Sequence, residues 1–393
     1  MNVLVTHPGR QHSHQAALAL QAAGALAGYW SGVPAVAAQT QAVPALLRSR
    51  FARYAPVALD PRRTRWFPWT PGLRRTADAL LPPGPAAWTD LAACRLFDRW
   101  VARSLSRSGA DAVIACEISG LATFREARRR AIATLLDAPS IHHAAQDRLH
   151  GTTDPPRLHR RIVALKDAEI ALADHILTVS ELARQTYLEA GVPPEKVHAV
   201  PLGADLELFS PDPLEKTGKD CIFLFSGAAI HRKGFDLLLA AFDRVRTGAP
   251  RSRLRLAGSR GDSSHLLEGR SDGGIEALGA LSQPALAAEL RRADVLVLPS
   301  RNDSYGMVVA EALASGLPVL VSEMVGAKEL VAEGRSGWIV PVGDTAALAA
   351  RMAWCAGHLD ALRAMGAECR RAAESATWPA YQRRLGELLR GLL

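Results

Sequence analysis

Ser300-Arg301-Asn302-Asp303-Ser304-Tyr305-Gly306-Met307-Val308-Val309-Ala310-Glu311-Ala312-Leu313-Ala314-Ser315-Gly316-Leu317-Pro318-Val319 holds a strand end, a loop, a helix and the approach to a second strand. The apolar run Asp294–Leu298 stops at Pro299, Asp303 falls in the loop, and Gly306 opens a helix whose first N–H groups point at whatever Asp303 surrounds. Glu311 interrupts an otherwise apolar helical face, about 7.5 Å along the axis from Gly306. An acid buried there needs hydrogen-bond donors, and the hydroxyls of a ribose or sugar are suitable ones. A solvated helix acid is the plain alternative for Glu311 taken alone.

The same strand-then-helix rhythm runs through the whole chain, the pattern of parallel sheets covered by helices on both faces. Expected strands are Asn2–Thr6, Ala112–Cys116, Ala133–Leu136, His175–Val179, His198–Val200, Ile222–Phe225, Arg253–Ala257, Asp294–Leu298, Pro318–Ser322 and Gly337–Val340. Helical spacing covers Gln15–Gln21, Leu158–Ala173, Ser180–Ala190, Phe235–Arg246, Gln283–Arg291, Met307–Ala314, Thr345–Cys355 and Trp378–Leu392, with Ser180 as an N-cap. Leu81–Ala86 and Arg260–Gly274 read as weakly structured Pro/Gly segments. The polar stretch from Pro201-Leu202-Gly203-Ala204-Asp205 to Ser210-Pro211-Asp212-Pro213 marks a hinge. The expected architecture is α/β, two Rossmann-like domains facing across a cleft: residues 1–202, residues 203–376, and a terminal helix 377–393. Ligands in such sheets bind at the carboxyl ends of strands, so both domains should serve one site.

With 393 residues, 48% hydrophobic and 22% charged, the chain has ordinary globular composition, which excludes long disorder and collagen-like repeats. Cys94, Cys116, Cys221, Cys355 and Cys369 lie far apart with no Cys-x-x-Cys pair, so neither a disulfide framework nor a structural zinc is expected. The uncharged stretch Gln15–Leu47 is broken by Gln21, Ser31, Pro34 and Gln39, and no basic leader precedes Val3-Leu4-Val5, so a cytoplasmic location is expected.

The net charge of +8 belongs to the first half, where residues 1–200 hold 24 Lys and Arg against 16 Asp and Glu. Arg48, Arg50, Arg53, Arg62, Arg63, Arg65, Arg74 and Arg75 face one acid, Asp60, and interleave with Phe51, Tyr54, Trp66, Phe67 and Trp69. This is either a solvated arginine face or a patch for an anionic partner, with nucleic acid, an anionic lipid surface and a phosphate-bearing acceptor all fitting the charge. In the second half, Ser226-Gly227-Ala228-Ala229-Ile230-His231-Arg232-Lys233-Gly234-Phe235-Asp236 brings a small-residue turn and two adjacent cations to the start of a helix. Gly227 gives a ligand access to backbone N–H groups, and Arg232 and Lys233 can neutralise a diphosphate beside the positive helix end.

Residues 221–343 resemble the nucleotide-sugar domain of glycosyltransferase family 4, enzymes of the two-Rossmann GT-B fold that retain anomeric configuration. The lysine-glycine turn of that family is matched by Lys233-Gly234 and its Glu-x7-Glu signature by Asp303 to Glu311. Leu278-Gly279 is similar to the segment that holds the base. Ala173-Asp174-His175-Ile176-Leu177-Thr178-Val179-Ser180 and Val200-Pro201-Leu202-Gly203-Ala204-Asp205 are similar to the last strand of the first domain and the crossover. Over residues 1–172 the likeness rests on His7-Pro8-Gly9-Arg10-Gln11-His12-Ser13 and Pro139-Ser140-Ile141-His142. Trp378-Pro379-Ala380-Tyr381 and the helix after it resemble the terminal helix that crosses back to the first domain.

The resemblance implies roles. Lys233, with Arg232, would hold the diphosphate and stabilise the charge that grows on the leaving group. Gly227, Gly306, Met307 and Val308 would offer access or N–H groups, Leu278 would meet the base, Asp303 would orient the sugar, and Glu311 would bind the ribose. Gly9 and Arg10 would close on the phosphates, and His142 would sit near the reacting sugar. The nucleophile would be the acceptor's own hydroxyl, with no glycosyl-enzyme intermediate. Two departures stand out: Ala228 replaces an arginine common in the family, and the first signature carboxylate is Asp303 rather than Glu. The chain has no Asp-x-Asp, so no metal and no cofactor are expected beyond a nucleotide-diphosphate sugar as co-substrate.

The expected partners are that donor, a sugar or lipid-linked acceptor and an anionic membrane touched through 48–75, with no nucleic acid. A non-catalytic nucleotide-sugar-binding protein, or an NDP-sugar epimerase on the same fold, is the alternative reading. A nicotinamide dehydrogenase is disfavoured because Thr6-His7-Pro8-Gly9-Arg10 lacks Gly-x-Gly-x-x-Gly.

Overall fold

In the computed structural model, which describes residues 1–43, 57–68, 70, 82–152, 154–212, 218, 220–270 and 274–393, the apolar runs assemble into two all-parallel sheets. The first contains β1 (Val3–His7), β2 (Leu26–Ser31), β3 (Thr64–Trp66), β4 (Ala112–Cys116), β5 (Ala133–Ala138), β6 (His175–Thr178) and β7 (Val197–Ala199), in the order β3-β2-β1-β4-β5-β6-β7. The second contains β8 (Ile222–Ser226), β9 (Arg253–Ala257), β10 (Ile275–Gly279), β11 (Val295–Leu298), β12 (Val319–Ser322) and β13 (Gly337–Val340), in the order β10-β9-β8-β11-β12-β13. Central strands such as Val3–His7, Ala112–Cys116 and Val295–Leu298 are buried at every residue. That is the signature of a sheet covered on both faces, and it explains why these strands read as unbroken apolar runs rather than alternating ones.

The strand order reverses direction between β1 and β4 in one sheet and between β8 and β11 in the other. At such a point the loops leaving adjacent strands diverge and open a crevice at the carboxyl edge. The two crevices face each other. The lobes meet through Ser304, whose carbonyl accepts from Ser180 Oγ at 2.5 Å and whose Oγ accepts from the Ile141 N–H at 3.1 Å. Tyr305 OH adds a bond to the Leu202 carbonyl at 2.6 Å.

The terminal helix Trp378–Leu392 returns to the first lobe and packs on the helix Ser13–Ala22, where Gln382 Nε2 donates to Gln15 Oε1 at 2.9 Å. Thr377 caps it by accepting from the Ala380 N–H. Ser180 likewise caps Glu181–Glu189, accepting from the Ala183 N–H at 3.0 Å, as its position predicts.

Three strands escape the sequence reading. β2 lies inside the uncharged stretch 15–47 and carries Gly28; β3 is three residues long; β10 is an edge strand with exposed Glu276 and Ala277. The Pro/Gly segment at 81–86 is not a loop throughout. Pro83 opens the helix Pro83–Ser104, where a proline's missing N–H and fixed φ suit the first turn. Of the basic-aromatic stretch 48–75, residues 48–56, 69 and 71–75 lie outside the described residues. Among those described, Arg65 lies over the Trp30 ring at 4.9 Å, and the Arg63 guanidinium donates to the Leu26 carbonyl, so both serve the first sheet's edge.

Candidate active site

A cleft of about 1420 Å³ lies between the two switch points. Its second-lobe wall is the pair of segments singled out by sequence. After β8 the chain makes a turn of 3-10 helix, His231–Lys233, and then Gly234 at φ +67°. A Cβ on Gly234 would lie 2.0 Å from the Pro299 carbonyl oxygen, so only glycine lets this turn sit against the end of β11. The contact brings Lys233 to Asp303, and their side chains form a part-buried ion pair. Arg232 donates to the Asn302 carbonyl at 2.9 Å, while Arg301 clasps Asp236 with two bonds of 2.7 and 2.8 Å and bonds the His231 carbonyl at 2.8 Å. Arg301, given no role from sequence, thus ties the β11 loop to the β8 turn with a planar fork.

The Asp303 backbone is itself held from both sides, its N–H donating to Met324 O and its carbonyl accepting from the Gly326 N–H, each at 2.9 Å. Gly306, at φ +84°, then turns the chain into the helix Met307–Ala314, whose first residues, Met307 and Val308, line the cleft at the end where a helix leaves N–H groups without intrahelical partners. Glu311 lies one turn further in. Its side chain is 6% exposed, lines the cleft and has no hydrogen-bond donor among the described residues, and burial pushes its pKa up to about 7. A carboxylate in that condition awaits donors from a ligand.

The first-lobe wall comes from the loops after β1, β4 and β5 and from the helix Pro156–Leu172. Arg10 lines it, as expected. Behind Arg10, His12 Nε2 meets Asp137 Oδ1 at 3.0 Å. Burial opposes charge on this histidine, but the Asp137 carboxylate outweighs it and raises the His12 pKa; against the same burial, His12 lowers that of Asp137. His7, buried beside them, is lowered to about 4, chiefly by burial. Lys166 also lines the wall, paired with Glu117 at 3.1 Å. Next to Glu117, Ile118 takes φ +70°, a strained conformation for a β-branched residue. The buried Glu169 holds it there, accepting from the N–H groups of Ile118, Gly120 and Leu121 at 2.7, 2.8 and 3.1 Å.

Of the residues expected from sequence, Arg10, Arg232, Lys233, Asp303, Gly306, Met307, Val308 and Glu311 line this one cleft. Gly9, Gly227, Leu278 and His142 do not. The Gly9 N–H is turned onto His7 Nδ1 at 2.8 Å. Gly227 is packed backbone to backbone at the ends of β8 and β9, its N–H bonded to the Ala257 carbonyl at 2.8 Å. Leu278 points into the packing of edge strand β10. His142 is the N-cap of the helix His143–His150: its Nδ1 accepts from the Ala144 N–H at 3.2 Å, and its ring stands edge-on to Tyr187.

Of this adjacent pair it is His143 that lines the cleft, with Nε2 at 3.0 Å from Asp167 and Nδ1 buried without a partner among the described residues. Burial lowers the pKa of both, that of His142 to about 4. His142, His143 and Asp167 also bring ligand atoms within 4.8 Å of one another. The two rings lie tilted at 33° with their centroids 4.1 Å apart. Sequence singles out neither Lys166, Glu117 nor the His12–Asp137 pair; the signal was a lone acid, Asp137, inside an apolar strand run.

Two parallel-sheet lobes meeting at their switch points, with a terminal helix returned to the first, define the GT-B class. Over 100% of this chain and 99% of its own, sucrose-phosphate synthase from Thermosynechococcus elongatus superposes with a TM-score of 0.76 at 20% identity. HepE from Anabaena, solved with UDP, superposes over the full length of both chains with a TM-score of 0.67 at 15% identity. Residues 220–358, within the second lobe, match the profile of the family described as Glycosyl transferases group 1. Phosphatidyl-myo-inositol mannosyltransferase of Mycolicibacterium smegmatis is 32% identical over 183 residues, 45% of this chain and 46% of the relative. The chain spans about half the length of the curated relatives it matches first.

Proposed function

We propose that this chain is a retaining glycosyltransferase, moving a sugar from a nucleotide-diphosphate sugar to an acceptor hydroxyl in glycolipid or cell-envelope polysaccharide synthesis. The observation that carries the reading is one wall of the cleft: Lys233 beside Asp303, the open helix start at Gly306 and the donor-less Glu311. A fixed cation and free N–H groups suit a diphosphate, and a buried acceptor-only carboxylate suits a pair of ribose hydroxyls. UDP bound to the Anabaena neighbour supports a nucleoside diphosphate as the donor's leaving half. The relative's name supports a lipid-linked acceptor.

In the reaction the bond from the sugar's anomeric carbon to the diphosphate oxygen breaks, and its electrons collect on that oxygen. Lys233, Arg232 and the N–H groups of Met307 and Val308 stabilise the charge in place, a contribution of order 10²–10³ per well-placed donor. Before the donor arrives, Asp303 neutralises Lys233; on binding, the diphosphate takes the ammonium and Asp303 turns to the sugar hydroxyls. The acceptor oxygen attacks from the face the diphosphate leaves, and its proton passes to the departing phosphate oxygen. No side chain forms a bond to the sugar, and no metal is needed, because positive side chains and a helix start take its place.

Incubation with a panel of nucleotide sugars, with and without chelator, tests this through nucleoside diphosphate release and the proton NMR coupling at the product's anomeric carbon. The expected product keeps the donor's configuration and forms equally with chelator. An inverted product overturns the retaining mechanism, loss of transfer with chelator overturns metal independence, and donor binding without release favours the non-catalytic alternative.

A further inference from the structure

The outer face of the first lobe is built by three neighbouring helices, Pro83–Ser104, Leu121–Arg129 and Pro156–Leu172. Along the first, Trp88, Ala92, Leu96, Arg99 and Arg103 are all exposed, and helical geometry places them within a sector of about 80°. Among the described residues the exposed large apolar side chains are Met1, Trp88, Leu96 and Leu393, and all but Trp88 and Leu96 are chain ends. Trp88 is 40% and Leu96 43% exposed.

Beside that stripe, Arg99 and Arg103 meet Arg125 and Arg129 of the second helix around a pocket of about 400 Å³. Its one acid, Glu126, is already engaged by Arg130 at 2.6 Å and Arg129 at 3.5 Å. The nearest buried acid, Asp98, is turned inward onto the N–H groups of Ala122 and Thr123 at 2.7 and 2.9 Å. Arg99, Arg103 and Arg125 therefore have no ion-pair partner among the described residues. Burial, then the neighbouring charges of Arg161 and Arg99, lower the pKa of Arg95, with Asp98 opposing them.

The patch adjoins the cleft. On the helix Pro156–Leu172, Ile162, Val163 and Lys166 line the cleft while Arg157, Arg160 and Arg161 are exposed. Leu91, Leu158 and Leu165 form the packing between that helix and Pro83–Ser104, with Ile118 and Ile162 at its cleft edge.

We propose that this face docks on an anionic phospholipid bilayer, with lipid phosphates entering the four-arginine pocket and Trp88 and Leu96 entering the boundary between headgroups and acyl chains. The inference deepens the reading of the chain as a transferase with a lipid-linked acceptor, since it sets the bilayer one helix away from the first-lobe wall of the cleft. Basic residues alone would suit any polyanion; an exposed leucine about two turns from a tryptophan on the same stripe gains nothing from nucleic acid and much from a membrane interface. Two signals together, charge and apolar insertion, are what reversible but firm attachment requires.

Flotation of the full chain with vesicles of phosphatidylcholine mixed with phosphatidylglycerol, and of phosphatidylcholine alone, tests the proposal. Wild type floats with the anionic vesicles, and less so as salt rises. Since each basic residue near such a surface contributes ~1 kcal/mol, Arg99→Gln with Arg103→Gln lowers the partition coefficient about 30-fold. Trp88→Ser with Leu96→Ser leaves weak binding that high salt abolishes. No flotation of the wild type, equal flotation on neutral vesicles, or wild-type flotation of the arginine variant each overturns the proposal; the last would move the contact elsewhere, such as 48–75. Thermal shift with nucleoside diphosphates is measured on the same samples. A retained shift shows that the variants fold, and a shift missing from the wild type strikes the transferase reading and not the membrane one.

Discussion

Replacing Glu311 with glutamine separates binding from stability in a way that only a buried, donor-less carboxylate permits. Burial raises the Glu311 pKa from 4.5 to about 7 in the folded chain. A raised carboxyl pKa means the folded state holds the proton more tightly than the unfolded one. The side chain therefore costs nothing below the unfolded pKa, and stability falls as pH rises from there to about 7 and is level beyond. The size of the shift corresponds to ~3 kcal/mol lost at alkaline pH. Glu311→Gln keeps the shape without the charge, so the unliganded variant should melt several degrees higher at about pH 8 and show no gain at low pH.

Donor binding should move the other way. Ribose hydroxyls donate to the ionised form, so affinity is level above pH ~7 and falls by up to tenfold per unit below it. At about pH 8 the glutamine variant should bind ~10- to 150-fold more weakly, the range for hydrogen bonds to a charged group, and its affinity should not vary with pH. Calorimetry with an intact nucleotide-diphosphate sugar, whose own phosphates do not titrate in this range, measures both affinity and proton release. A flat profile for the wild type, or a slope that persists in Glu311→Gln, refutes the assignment.

Two further outcomes follow from the first lobe. His143→Asn should lower kcat/KM by about tenfold or more through loss of a cleft hydrogen bond. His142→Asn, where asparagine can still cap the helix, should leave kcat/KM within about twofold; the reverse order in steady-state assays would restore His142 as the cleft histidine. Glu169→Ala leaves three backbone N–H groups without their acceptor and frees Ile118 from its strained conformation. It should cost ~3 kcal/mol or more in denaturant unfolding, and an unchanged midpoint would show that water satisfies the loop.

How far the sequence reached differs between the lobes for a physical reason. In the second, Lys233, Asp303, Gly306 and Glu311 belong to two short continuous segments, each a strand end followed by a helix start, so local chemistry and spacing place them. In the first, the cleft wall is put together from distant pieces: His12 meets Asp137 across 125 positions, and Lys166 meets Glu117 across 49. No local pattern announces such pairs. Histidine 142 illustrates the limit of adjacency, because a helix start turns one of two neighbouring rings into a cap and the other toward the cleft. The missed strands share a cause as well: Leu26–Ser31 and Ile275–Gly279 contain small or exposed residues, and their strand form comes from neighbours in the sheet rather than from their own propensity.

Lys233 carries the central claim. A thermal-shift comparison of wild type and Lys233→Ala against a panel of nucleoside diphosphates and their sugars tests it most directly. At ~100 times the dissociation constant the right ligand should stabilise the wild type by about 2.7 kcal/mol, and the variant should lose most of that gain. A wild type indifferent to every nucleotide, or a variant stabilised as much as the wild type, would contradict a diphosphate held by this lysine.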